Sequence, residues 1–184
     1  LELDLRDYGA GRTLQPFTGF RTGPMDGGLI LTDFHHTVSH GIRRCEFDDY
    51  LLRRSGAQLL LGQSLEALRR DGDVWVVNDA VRAPVVIGAG GHFCPVARHL
   101  NPGPTRDAVV IAQEIEFRIE PQAGEAHPVK PEWPELFFWP DLLGYGWCVR
   151  KGDYLNIGAG HLKEAEFPAR VRRFAALLED RGLV

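Results

Sequence analysis

The chain has 184 residues, 44% hydrophobic and 25% charged, which is the ordinary balance of a globular domain able to bury a substantial core. Its formal net charge of -4 gives no electrostatic reason to expect nucleic acid as a partner. No apolar run approaches the ~20 residues of a membrane span, and no signal peptide opens the chain, so a cytoplasmic location is expected, with peripheral membrane contact left open. Cys45, Cys94 and Cys148 are odd in number and show no Cys-x-x-Cys spacing, the pattern of free thiols in a reducing compartment. The first residue is Leu1, already inside an alternating pattern, and the chain reads as a piece of something longer.

In chain order, Leu1 to Leu5 alternates at period two and predicts a half-buried strand. Gly9 to Gly28 is punctuated by glycine and proline, as loops and short strands are. Leu29 to Leu31 and Thr37 to Ile42 are further strand candidates. The pattern turns helical from Glu46 to Ser55, and Gly56 is its stop. A meander follows, with strands at Gln58 to Leu61, Leu65 to Arg69 and Val74 to Asn78. The last two are joined across Asp71-Gly72-Asp73. Pro84 to Ile87 then reads as a buried parallel strand that empties into Gly88-Ala89-Gly90-Gly91. Ala108 to Ile119 alternates with one buried face, Gln122 to Pro134 is loop, and strands follow at Leu136 to Trp139, Gly146 to Arg150 and Tyr154 to Ile157. The end is an amphipathic helix with Phe167, Val171, Phe174 and Leu178 on one stripe and Pro168 in its first turn. The expected class is α+β: an antiparallel sheet with two helices, built to cover something.

The stretch with most chemical content is the glycine turn after Ile87. Successive small residues let a backbone pass close to a ligand and turn amides toward it, and Arg98 adds charge about a turn later. A structural bend is the competing reading. Arg44-Cys45-Glu46-Phe47-Asp48 puts an arginine just before a helix. Gly144-Tyr145-Gly146-Trp147 leads, one hairpin later, to Gly158-Ala159-Gly160.

Taken in order over roughly residues 37 to 180, these segments resemble the geranylgeranyl reductase family, FAD-dependent oxidoreductases of the p-hydroxybenzoate-hydroxylase-like superfamily. The resemblance implies FAD held between a Rossmann-like layer and an antiparallel substrate-covering sheet, with hydride from reduced flavin reducing C=C bonds of a prenyl substrate and NAD(P)H as a candidate reductant. On that basis residues 1–45 hold N-terminal strands and loops of the sheet, 46–100 a helix, a meander and a strand of the FAD layer, and 101–184 the rest of the sheet with the C-terminal helix.

It also implies that Arg44, Gly88, Gly90, Gly91 and Arg98 lie on the cofactor side. Tyr145, Trp147, Gly158, Gly160 and Cys94 would lie on the substrate side. The chain departs from the family where Gly90 replaces an Asp and Val149-Arg150 replaces Phe-Pro. It shows no Gly-x-Gly-x-x-Gly with an acidic residue about 20 positions on, so weak or absent FAD binding by this chain alone is expected. The family's flanking FAD-domain segments count as missing partners.

Two rivals share the evidence. One is a flavin-dependent monooxygenase or halogenase of the same superfamily; the other is a non-catalytic module that binds an apolar ligand. Other candidates carry bland readings. His35, His36 and His40 fall on a strand-like stretch that sets His36 and His40 about 13 Å apart, which favours a polar loop over a metal site. Cys94 beside the glycine turn reads as packing or as a substrate contact. Trp133, Phe137, Phe138 and Trp139 read as core or as the wall of an apolar tunnel. No catalytic residue is assigned.

Overall fold

The computed structural model describes residues 3–103, 109–120, 127–162 and 164–184. The chain divides into two compact units, Leu1–Gly56 with Ala108–Val184, and Ala57–Asp107.

The larger unit opens on helix α1 (Leu5–Gly9) rather than a strand. The Asp4 carboxylate accepts from the amides of Arg6 at 2.8 Å and Asp7 at 3.4 Å, and this cap overrides the period-two alternation. Leu1 and Glu2 lie outside the described residues. Strands β1 (Leu14–Phe17), β2 (Gly19–Pro24), β3 (Ile30–Asp33) and β4 (Ser39–Ile42) lead to helix α2 (Arg44–Arg54). Tyr8, wholly buried, fixes α1 on α2 through edge contacts with Phe47 and Tyr50 at 5.4 and 5.3 Å.

In the smaller unit, β5 (Leu68–Asp71), β6 (Val74–Val77) and β7 (Val81–Ala83) form an antiparallel meander, and α3 (Pro95–Leu100) follows. The Asp71-Gly72-Asp73 turn is where the sequence places it, with Gly72 at φ +58°. Two expected strands are not formed. Residues 58–61 lie in a loop, the end of which is tied by Asn78: its Oδ1 accepts from the amides of Glu66 and Ala67, and its Nδ2 donates to Ser64. Residues 84–88 form no strand either, and Val85 and Ile87 are 68% and 81% exposed. A strand needs a ladder partner, and among the described residues none pairs with this segment.

The larger unit resumes with β8 (Ile111–Arg118), β9 (Glu135–Phe138), β10 (Gly144–Lys151), β11 (Tyr154–His161) and helix α4 (Phe167–Asp180). Four α-helices are thus present among the described residues, where the pattern predicts two. Six strands form one sheet in the order β3-β2-β9-β10-β11-β8. All neighbours are antiparallel except β2 and β9, so the parallel pairing expected at residues 84–88 occurs here instead. β1 and β4 pair as a separate ribbon.

Register assigns the two faces of this sheet. Phe137, Gly146, Cys148, Leu155, Ile157 and Ala159 share the face on which α4 packs with Phe167, Phe174 and Leu178. A side-chain carbon at Gly146 would stand 2.6 Å from the Phe174 ring, so the helix approaches the backbone directly there. His161, at the end of β11 and wholly buried, lies 3.2 Å from Asp141, which also accepts from Arg170 of α4 at 3.1 Å. The face of β8 expected to be buried is only partly so: Phe117 is half-buried, whereas Ile115 is 58% exposed. β8 is the edge strand, and α4 lies over β11. Among the described residues no helix is long and apolar enough to cross a membrane.

Candidate functional site

The opposite face of the six-stranded sheet, where Phe138 and Tyr145 are partly exposed, is the candidate site. Phe138, Tyr145 and Trp147 alternate outward from β9 and β10 in a continuous ring series. Phe138 lies 6.0 Å from Tyr145, and Tyr145 lies 5.9 Å from Trp147, both pairs tilted. Phe138 is 36% and Tyr145 45% exposed. The period-two pleat places Phe137 and Trp139 in the core and leaves Phe138 partly exposed on the other face.

Trp147 is fixed rather than free. Its Nε1 donates to Asn156 Oδ1 at 2.7 Å, and its ring lies over Gly158, where any side chain would run into the indole. Gly158 is thus explained by close ring approach, and Asn156 by the indole N–H that a half-buried tryptophan must satisfy. Gly160, cross-strand from Tyr145, is buried, and a side-chain carbon there would be in ordinary contact with Val110, Ala112 and the Ile111 carbonyl.

One end of this face is polar. Glu116 accepts from Arg43 Nε at 2.8 Å and Lys151 Nζ at 3.1 Å. Burial pushes the Glu116 carboxyl up, but the hydrogen bonds from Arg43 and Lys151 outweigh it and hold the group below the usual range. Arg43 also reaches Glu46 at 3.0 Å and stacks 3.5 Å over the Tyr154 ring, which ties α2 to the sheet. A cleft of about 440 Å³ opens beside this cluster between Thr13, Glu46 and Tyr154.

The residues expected to act divide between the two units: Arg44, Tyr145, Trp147, Gly158 and Gly160 in the larger, and Gly88, Gly90, Gly91, Cys94 and Arg98 in the smaller. Tyr145, Trp147, Gly158 and Gly160 are brought together on one face. Arg44 begins α2, is 74% exposed, and meets Asp48 at 3.2 Å. Its neighbour Arg43 holds the networked position that sequence reading did not single out.

In the smaller unit a side-chain carbon at Gly88 would stand 3.0 Å from both Cys94 Sγ and Val96 Cβ, so that glycine serves internal packing. Gly91 has φ +71° and open space around it, a backbone that only glycine adopts easily. Cys94 is buried, and the amides of Ala97 and Gly90 facing its sulfur hold the thiol below its usual range. None of these amides closes a capping hydrogen bond on the thiol. Arg98 lies 5.6 Å over the Phe93 ring. The turn at Gly91 is exposed, while Gly88 and Gly90 pack against Cys94, Gly88 also against Val96. Asn156, Lys151 and Arg43 carry no local signal because each gains its partner from another strand or helix, and Glu116, which reads from sequence as a solvated residue on the polar face of its strand, is instead paired with Arg43 and Lys151. The sole signal was the period-two alternation that puts Asn156 on the same face as Gly158.

No protein-family model and no curated protein sequence matches the chain. Solved structures do. The chain is similar to a variant of PqsL from P. aeruginosa, with 18% identity and a TM-score of 0.57, over 86% of this chain and 46% of that one. PqsL itself, a probable FAD-dependent monooxygenase from Pseudomonas aeruginosa, matches with 16% identity and a TM-score of 0.53 over the same shares. The flavin-dependent brominase Bmp2, as a triple mutant, matches with 15% identity and a TM-score of 0.54, over 89% of this chain and 44% of that one. The chain spans about half the length of these structures. At such identities the likeness is one of fold: an α+β arrangement shared with part of FAD-dependent enzymes.

Proposed function

We propose that this chain forms the substrate-facing part of an FAD-dependent oxidoreductase of the monooxygenase and halogenase kind, acting on a small apolar, ring-bearing substrate. The observation that carries the reading is the partly exposed aromatic face, on which Trp147 is pinned by Asn156 against Gly158. A sheet face that only solvated itself would not hold three rings in contact or spend a buried asparagine on fixing one of them. The fold likeness supports the flavin-enzyme setting. The proteins it names are a probable FAD-dependent monooxygenase and a flavin-dependent brominase, which favours oxygen activation over the prenyl reduction implied by the motif resemblance.

In this reading Phe138, Tyr145 and Trp147 hold the guest and exclude water, and the Arg43–Glu116–Lys151 cluster keeps one end of the wall rigid. In the larger unit, Arg44, exposed at the start of α2, is the candidate to meet the cofactor's anionic groups. FAD, when bound, would supply the two electrons of O₂ activation, and the residues of this chain would hold the guest. NAD(P)H is the proposed electron source.

The test is catalysis by a longer protein that includes a flavin domain, incubated with NADPH and oxygen. Substrate-dependent NADPH oxidation with an oxygenated or halogenated product is expected. Anaerobic saturation of a prenyl double bond instead would return the reading to the reductase.

A further inference from the structure

We propose that the cavity where the end of α2 meets α1 binds a phosphate dianion, free or at the end of a small organic molecule, among the guanidinium groups of Arg12, Arg53 and Arg54. The site shares no residue with the aromatic wall and stands apart from the function proposed above.

The cavity has a volume of about 460 Å³ and is lined by Asp7, Arg12, Tyr50, Arg53 and Arg54. Three guanidiniums and a single carboxylate thus border one space. The hydroxyl of Tyr50, a buried residue, donates to Asp7 Oδ2 at 2.6 Å and accepts from Arg54 Nη1 at 2.6 Å. Arg54 also stands 3.4 Å from the same carboxylate oxygen. The one acid of the lining is therefore engaged by Tyr50 and Arg54 rather than by Arg12 or Arg53.

Arg53 and Arg54 have an ordinary reason for their positions. Both lie in the last turn of α2, where cations offset the negative end of the helix. Arg53 meets Asp49 through Nε alone, at 2.9 and 2.8 Å, which leaves both of its Nη groups without a protein partner among the described residues. Arg12 is different, because it comes from outside that helix and is half-buried. Its guanidinium lies 4.7 Å over the Tyr50 ring, and its Nη1 donates to the carbonyls of Tyr8 at 3.2 Å and Ala10 at 3.5 Å. Asp49 and Asp7 pair with Arg53 and Arg54, and among the described residues no carboxylate pairs with Arg12. A cation fixed on a cavity wall with no counter-charge of its own is completed by an anion that enters the cavity. A carboxylate offers two oxygens, the complement of one guanidinium fork. Three guanidiniums around one space match an anion with more acceptor oxygens and a charge near −2, which is phosphate.

The experiment titrates the ¹⁵N-labelled chain at constant ionic strength with inorganic phosphate, phenyl phosphate and acetate. It follows the Arg12 Nε–H resonance, identified by its loss in Arg12→Lys. The phosphates are expected to move that resonance at a concentration at least roughly tenfold below that of acetate. Phenyl phosphate acting at the lower concentration assigns the site to an organic monoester, and the reverse order assigns it to the free ion; both support the proposal. Arg53→Ala, at an exposed position, should raise the phosphate concentration needed about fivefold. Arg12→Lys, read through the Arg53 Nε–H resonance, should raise it about tenfold, since an ammonium keeps the charge but loses the fork. Backbone amide spectra unchanged away from α1 and α2 report that both variants are folded. Equal responses to acetate and the phosphates would reduce the cavity to general charge attraction and overturn the proposal. So would phosphate binding undiminished in both variants, or no response of Arg12 to any probe.

Discussion

The two faces of the six-stranded sheet are built from the same strands yet obey different rules. On the covered face, Phe137, Cys148, Leu155 and Ala159 meet Phe174 and Leu178 of α4 and are all within a few per cent of full burial. There, burial pushes the Cys148 thiol far above its usual range, the mark of an apolar interior. On the opposite face the large residues are rings held partly in solvent and located by hydrogen bonds and close glycines. The first face is organised for stability, and the second is organised to present a surface. A protein whose stability came equally from both would not leave Phe138 and Tyr145 over a third exposed.

The sharpest way to break the comparison is a pair of truncations. Phe174→Ala should cost about 3–5 kcal/mol in urea unfolding, because it empties a packed position. Tyr145→Ala should cost less, about 1 kcal/mol, because that ring is nearly half exposed. Equal losses would erase the distinction between the faces.

A smaller effect is expected at the polar end. Glu116→Gln should cost about 2 kcal/mol at neutral pH by weakening two charge-assisted hydrogen bonds. The folded pKa of Glu116 is lowered, with burial opposing and Arg43 and Lys151 prevailing. Its contribution is therefore present above the ordinary carboxylate range and lost as pH falls through the folded value. Unfolding free energies measured from neutral to acid pH should decline less steeply in Glu116→Gln than in the parent. A parallel decline would remove Glu116 from the clamp.

Smaller still, Asn156→Ala should cost about 1 kcal/mol while moving the Trp147 indole resonance and weakening its near-ultraviolet dichroism. Stability loss with an unmoved indole signal would mean that Gly158 and packing alone locate the ring. The least expected change is in flavin content: added FAD should leave no stoichiometric flavin absorbance on the purified chain, and a yellow protein would contradict this.

Much of the larger unit was legible in the sequence. The α4 stripe and the alternation of β9 to β11 follow from local pattern, as does the Asp71-Gly72-Asp73 turn of the smaller unit, because side-chain period and turn chemistry are properties of neighbours in the chain. The failures also have physical causes. At Leu5 a capping aspartate overrode an alternating run. At Val85 to Ile87 an apolar segment with good strand composition found no ladder partner among the described residues. At β8 the buried face was over-read, because alternation reveals which side chains share a face but not how far a covering helix reaches.

The candidate site was half visible. Tyr145, Trp147, Gly158 and Gly160 could be named from motif order, and register confirms that they share a face. Arg44 could be named in the same way, yet its side chain is exposed while Arg43, one residue earlier, spans 73 positions to Glu116.

What the sequence by itself determined is the alternation of strands, the amphipathic closing helix and the set of residues able to form an aromatic wall. Only the tertiary structure decided which face is covered, that Asn156 locks Trp147, and that Arg43 and Lys151 pair with Glu116. The reason is reach. Periodicity acts between residues a few positions apart, whereas a hydrogen bond or ion pair across strands depends on register and distance that no local pattern contains.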